Sequence, residues 1–353
     1  MLKFLFSMAG AFLFAFMFAA GASAAVGLPL METGLTLSAL SFIPISGVGS
    51  IAMAGVLKEV WTGEVIKALN NSVVATFLDG IRNFSKYVSA VGDEAQVIHA
   101  VYMGVEPDVL LNNTTYPIPV QELGAEDVVI TLDKYQTKAT PITDDELYAL
   151  TYDKIAVVKD SHATAIKRVK FRKALHSLAP SGNTAAMPVL LTTGADDGTG
   201  RKRLQWSDLV ALKSKCDDLE IPEEGRRLVL CTDHLNDMLL LDTKFKDQFY
   251  NSVTGKPYSA LGFEFFSYAS APYYVPATKL KLAFGAVPAG TDRRASIFFS
   301  LERAAMANGW TKMYYSEAGT SPETQRNLVN FRHNFIVMPT REEGRGAIIS
   351  ANV

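Results

Sequence analysis

The sequence predicts an α+β chain, on three observations. From Thr143 to Ala179 a helical pattern runs without a glycine or proline. After it, short apolar β-rich runs alternate with short helices. Near the end, Gln325 to Met338 alternates as one long strand. The 353 residues suit one large domain or two ordinary ones, with room for a sizeable core. Charged residues at 20% and hydrophobic ones at 48% exclude a disordered chain. A formal net charge of −2 argues against a protein that coats nucleic acid through a basic face. Two cysteines, Cys216 and Cys231, make neither a disulfide framework nor, alone, a structural zinc site.

Residues 1–52 differ in kind from the rest, since they hold only two charges, Lys3 and Glu32. A basic start, an apolar run and Ala22-Ser23-Ala24 before Ala25 read as a secretory signal over residues 1–24. The same run is long enough for a membrane span. A third reading places the true start at Met53, where ordinary soluble composition begins. Lys58 to Val88 then reads as one or two amphipathic helices, with Val60, Val65, Leu69, Val73, Phe77, Ile81 and Phe84 near helical spacing.

Residues 104–142 change character. Tyr116-Pro117-Ile118-Pro119 is extended, because a residue before proline is pushed out of the helical region. Val128 to Leu132 and Tyr135 to Thr140 are β-rich and are separated by Asp133-Lys134, which predicts a long polar hairpin. With few large apolar residues of its own, it needs another surface to pack on. Thr143-Asp144-Asp145-Glu146 then has the spacing of a capping box. Leu147, Leu150, Ile155, Val158, His162, Ala165, Val169 and Leu175 approximate a helical stripe. Basic residues from Lys167 to Lys173 complement the end of the helix dipole and read as a solvated helix terminus.

After Pro180-Ser181-Gly182 the elements shorten. Trp206 to Cys216 is a helix with Ser207 as its cap; Arg227 to Cys231 is a buried strand; Thr232 to Leu240 is a short helix. Leu261 to Tyr268, Leu280 to Phe284 and Ala295 to Leu301 are strands, Ser300 to Ala307 suits a helical turn, and Gly344 to Ile349 closes the chain.

No set of residues makes an active site. The five histidines lack the spacing of a metal or catalytic motif. Cys231-Thr232-Asp233-His234 contains a nucleophile and a base, but a strand end followed by a capped helix explains it better. Asp196-Asp197-Gly198 lacks the remaining ligands of a calcium loop and reads as a solvated turn. Asn70-Asn71-Ser72 and Asn112-Asn113-Thr114 match glycosylation acceptors, which matter only in a eukaryotic secretory pathway. No cofactor, metal or catalytic residue is expected, and the balance tilts toward a structural or binding protein.

Several stretches carry a resemblance. They are Val60-Trp61-Thr62-Gly63-Glu64 with Leu69-Asn70-Asn71, then Ile130 to Thr137 with Ile142 to Leu147. Further on are Arg227 to Leu230 with His234, Leu239-Leu240 and Asp242, and then Gly262-Phe263, Tyr268 and Pro272. In this order they resemble the tailed-phage major capsid protein, the Hong Kong 97-type coat protein family, over roughly residues 53–353. The resemblance implies the following parts: a hydrophobic leader at 1–52, an N-terminal arm with helices at 53–103 and an extended β-hairpin loop at 104–142. A spine helix of a peripheral domain at 143–183, an axial domain at 184–310 and returning peripheral strands at 311–353 complete it. It implies a virion protein that forms hexamers and pentamers of an icosahedral shell around double-stranded DNA, assembled in the host cytoplasm. Its partners would be neighbouring subunits, with scaffold, portal and decoration proteins and non-specifically packaged DNA, and a membrane only if the leader is retained. Tyr116, Lys134, Tyr135 and Lys138 would contact the adjacent subunit. Some relatives cross-link a loop lysine to a neighbour's asparagine, and Lys134 or Lys138 with Asn352 are the right types. The leader departs from the family. It keeps open a secreted or membrane-anchored binding protein, beside an encapsulin-type compartment and a hydrolase using Cys231 or His234.

Overall fold

The computed structural model describes residues 75–91, 95–103, 109–114, 116–118, 125–143, 154–241, 258–316 and 326–353, with Val65, Ile66, Leu69, Phe245 and Glu323. They belong to one compact unit, Trp61–Val353. The leader, most of the expected N-terminal helix and the Asp144–Glu146 part of the capping box lie outside the described residues.

The long helix, α1, is described over Lys154–Leu178, about 37 Å at 1.5 Å per residue. Lys281 stops it cleanly: its Nζ donates to the carbonyls of His176 at 2.8 Å and Ala179 at 2.7 Å. That satisfies acceptors left without an intrahelical partner and places a cation at the negative end of the dipole. The buried face is His162, Ala163, Ile166, Lys170, Phe171, Ala174, Leu175 and Leu178. Two members of the expected stripe, Ala165 and Val169, point outward instead. The face is set by two sheets rather than one. Ala163 and Ile166 pack with Val329 and Phe331, whereas Phe171, Leu175 and Leu178 pack with Val229, Ile297 and Phe299.

The first sheet has five strands: β1 (Arg82–Asn83), β5 (Asp133–Gln136), β6 (Thr140–Thr143), β14 (Ala304–Ser316) and β15 (Arg326–Pro339). The long strand expected near the end is β15, and it pairs antiparallel with β14, β5 and β6. Ser300 to Ala307 is not a helical turn. After a short turn β14 begins at Ala304 and pairs with Pro339, so tertiary pairing overrides the helix propensity of an Ala-rich run.

The expected hairpin is also rearranged. β4 (Ala125–Thr131) pairs with β3 (Ala95–Met103), which pairs with β2 (Val88–Val91), forming a separate three-stranded sheet. β5 pairs with β15, not with β4. Asp133-Lys134 lacks the Asn-Gly chemistry of a tight hairpin turn, so the chain runs straight on from one sheet to the other. Buried Leu132 marks the crossing, its N–H donating to the Gln96 carbonyl at 2.9 Å.

The remaining sheet has eight strands. These are β7 (Val189–Leu191), β8 (Arg226–Leu230), β9 (Tyr258–Ala260), β10 (Phe263–Ser267), β11 (Tyr273–Val275), β12 (Leu280–Lys281), β13 (Arg293–Ser300) and β16 (Arg345–Ile349). Period-two alternation gives it two apolar faces. Val229, Ile297 and Ile349 face the α1 side, and Leu228, Leu230, Phe298 and Ile348 face α2 (Trp206–Asp218) and α3 (Thr232–Leu241). Gln205, not Ser207, caps α2, in a reciprocal box with Asp208. The stretch 311–353 divides between sheets, since Arg345–Ile349 pairs with β13 and β7 rather than returning beside β15.

Candidate assembly surface

Three of the four expected contact residues come together. β15 fixes β5 beside α1, and the turn after it is clamped: Thr137 N donates to the Phe331 carbonyl at 3.1 Å and Phe331 N donates to Thr137 Oγ1 at 3.0 Å. This places Lys134, Tyr135 and Lys138 along one wall of a groove of about 510 Å³. Val158, Ala165 and Val169 of α1 form the other wall. The lysines are exposed and Tyr135 is half-buried. Burial first, then the Asp133 carboxylate, pushes the Tyr135 hydroxyl above its ordinary range, so it remains a phenol.

Tyr116 lies elsewhere, in the connection between β3 and β4. There the described residues form an exposed apolar segment. Val109 is 85% exposed, Leu111 86% and Tyr116 75%, with Leu110 and Ile118 also open. Single exposed apolar residues are ordinary, but a cluster on one connection marks a surface awaiting a partner. The outward face of α1 and the Val109-Leu110-Leu111 run were missed in the sequence. The signal for the second was present, as three apolar residues beside Asn112-Asn113.

Cys231 and His234, the nucleophile and base that the sequence places side by side, are both buried. His234 is fully enclosed, with Nδ1 2.7 Å from Ser296 Oγ and Nε2 2.9 Å from Ser350 Oγ. Burial lowers its pKa to about 4 and raises that of the Cys231 thiol to about 11. A neutral thiol and a neutral imidazole without an opening make no nucleophile pair. Asp197 is engaged by Thr199 and by Arg201 at 2.9 Å, and Arg201 reaches on to Asp237 in a two-pronged pair at 2.6 and 2.9 Å. The expected solvated turn is therefore tied into a buried network. No group of residues suited to a metal ion occurs among the described residues. Lys170 departs most from expectation: it is 3% exposed, inside the basic run read as solvated.

No family sequence model matches the chain, and no curated protein matches it. Solved structures do. The capsid of cyanophage P-SCSP1u superposes with a TM-score of 0.51 at 13% identity, over 78% of this chain and 88% of that one. The capsid of Ralstonia phage GP4 gives 0.51 at 9% identity, over 78% and 88%. The capsid of an empty GTA particle gives 0.52 at 10% identity, over 79% and 90%. The chain has the phage capsid-protein fold. Within it, α1 is the long helix, the three-stranded sheet carries the exposed loop, and the eight-stranded sheet with α2 and α3 forms the other lobe.

Proposed function

We propose that this chain is the structural subunit of a phage capsid, assembling with copies of itself into hexamers and pentamers of an icosahedral shell that encloses double-stranded DNA. The capsid fold carries this reading. The exposed apolar side chains Val109, Leu110, Leu111, Tyr116 and Ile118 support it, since none belongs to a described core cluster. The subunit acts by geometry and has no reaction to perform. The loop of one subunit covers an adjacent one, and the Lys134–Lys138 groove beside α1 meets a neighbour. Each contact is modest, but a shell makes many at once. Scaffold, portal and decoration proteins are the further partners of such a shell.

One experiment tests the assignment of the groove. The double substitution Lys134→Glu and Lys138→Glu leaves an isolated subunit folded, as both side chains are exposed. It impairs shell formation in sedimentation velocity of the full chain. Unchanged particle yield would remove the groove from the interface. The leader favours a second reading, an exported binding protein that uses residues 1–24 as a signal. Sequencing the N-terminus of the mature protein separates the two.

A further inference from the structure

The helix divides its own basic run. Lys170 turns inward, with Nζ 3.3 Å from Asn308 Oδ1 and 4.0 Å from the Phe335 ring centroid. Arg172 and Lys173 reach instead the loop that joins β12 to β13, where their charges sit 4.9 and 5.0 Å from the Phe284 ring centroid. Phe284 forms one wall of a cleft of about 340 Å³ between the end of α1, the start of β11 and this loop. Arg172, His176, Tyr273 and Arg294 line the rest, and no carboxylate does. Arg294 Nε donates to Tyr273 Oη at 2.9 Å, and its guanidinium carbon lies 5.4 Å from that ring centroid. His176 Nε2 donates to the Leu282 carbonyl at 2.9 Å.

An aromatic face positions a cation and leaves its N–H groups free to donate elsewhere. Among the described residues Arg172 and Lys173 have no ion pair and no side-chain hydrogen bond, and the two Nη atoms of Arg294 have no protein acceptor. The positive charge is felt inside the cleft. Burial lowers the pKa of His176, against its hydrogen bond to Leu282, and Lys281, Lys173 and Arg172 lower it further. Lys281 is itself lowered to about 8, by burial first and then by Arg345 and Lys173. Asp233 acts on Arg294 only from outside the cleft. Like charges brought together at such a place are unfavourable until an anion offsets them. The outer lip is Ala283, Gly285 and Ala286, all exposed, and a Cβ built at Gly285 would meet nothing within 4 Å. The cleft is therefore open to a polymer passing across it as well as to a small ion.

We propose that this cleft takes a backbone phosphate of double-stranded DNA, with Arg172 and Arg294 as its donors and Lys173 at the rim. Guanidinium forks match phosphate oxygens in two-pronged pairs. Contacts of this kind hold a duplex whatever its sequence. A net charge of −2 excludes a wall that coats DNA, but it is compatible with one discrete contact on each subunit. A shell repeats that contact at every subunit, so a weak one suffices. That the DNA is an enclosed genome rests on the shell reading above, whereas the anion chemistry of the cleft does not. On that reading the end of α1 and the loop 282–292 face the interior of the shell.

The test is fluorescence anisotropy of a short labelled duplex with the full-length protein, kept below the concentration at which it scatters light. Two or three neutralised phosphates give a slope of log K against log salt of about −1.8 to −2.7, roughly a tenfold to fortyfold loss of affinity between about 50 and 200 mM salt. Arg172→Gln, at an exposed position, should flatten the slope by about 0.9, and Arg172→Gln with Arg294→Gln by about 1.8, in proteins that still melt cooperatively. Lys215→Gln, on α2 across the eight-stranded sheet, should leave it unchanged. A slope indifferent to both arginines, or no binding at low salt, would overturn the proposal. So would displacement of the duplex by inorganic phosphate at matched phosphate concentration, which marks a site for the free ion, or equal binding of poly-glutamate, which marks an acidic protein partner. Shell formation is followed by light scattering on the same preparations. Shells without duplex binding would overturn the cleft assignment alone. Arginine-dependent duplex binding without shells would uphold it and contradict the shell reading.

Discussion

Replacing Leu110 and Leu111 together by serine separates folding from assembly. Leu110 is half exposed and Leu111 86% exposed. Neither packs in a described core, so the isolated subunit loses little: exposed substitutions fall within about 0.5 kcal/mol. On the proposed assembly the same side chains become covered by a neighbouring subunit. Burying one leucine contributes about 1.5–3 kcal/mol, so the pair is worth about 3–6 kcal/mol per contact before the cost of ordering the loop. Even if ordering offsets half of that, the contact weakens about tenfold to a hundredfold. The assay is light scattering against protein concentration, read beside a thermal melt of the unassembled subunit. The onset of scattering should move up by at least about tenfold, while the melting midpoint stays within about 2 °C. An unchanged onset would refute the assignment of this loop to the interface. A collapsed melting temperature would show that the leucines serve the subunit's own fold.

Other perturbations probe the interior. Asp237→Asn removes the charge from the two-pronged partner of Arg201, which keeps Asp197 at 2.9 Å, and should cost about 1–3 kcal/mol in urea unfolding. Burial lowers the folded His234 pKa to about 4, below its ordinary 6.5. Between those values the unfolded chain binds the extra proton, so stability is full above about pH 6.5 and falls as the pH drops toward 4, by on the order of 3 kcal/mol. Urea midpoints at stepped pH check this, and His234→Gln should flatten the slope. Gly309→Ala drives a methyl group into Gln96 Oε1, the acceptor for Trp310 N and Asn334 Nδ2. Hydrogen exchange should show loosening where β3 meets the β14–β15 ladder, at a cost of about 1–3 kcal/mol.

The parts of the fold set by local rules were legible in the sequence. Pro180 and the glycine-free run before it placed the end of α1, and alternation placed β15. Arg226–Leu230 was legible as a strand because it is apolar enough to be buried on both faces. What depends on distant partners was not legible. The two β-rich runs around Asp133-Lys134 read as a hairpin because each seeks a neighbour, and sequence does not tell which neighbour wins. Lys170 sits in a basic run, and its burial follows from a ladder irregularity at Asn308 and Thr311, far along the chain. The outward turn of Ala165 and Val169 reflects the helix meeting two sheets in succession. Of the expected contact residues, Lys134, Tyr135 and Lys138 gather because β5 and α1 both rest on β15, whereas Tyr116 belongs to another element.

The most direct measurement is electron microscopy with class averaging on the full chain, after it is concentrated to where scattering begins. The account predicts closed hollow particles of uniform size, with fivefold and sixfold capsomers resolved in the shell. A protein that stays monomeric at every concentration and under crowding, with a processed N-terminus, would contradict it.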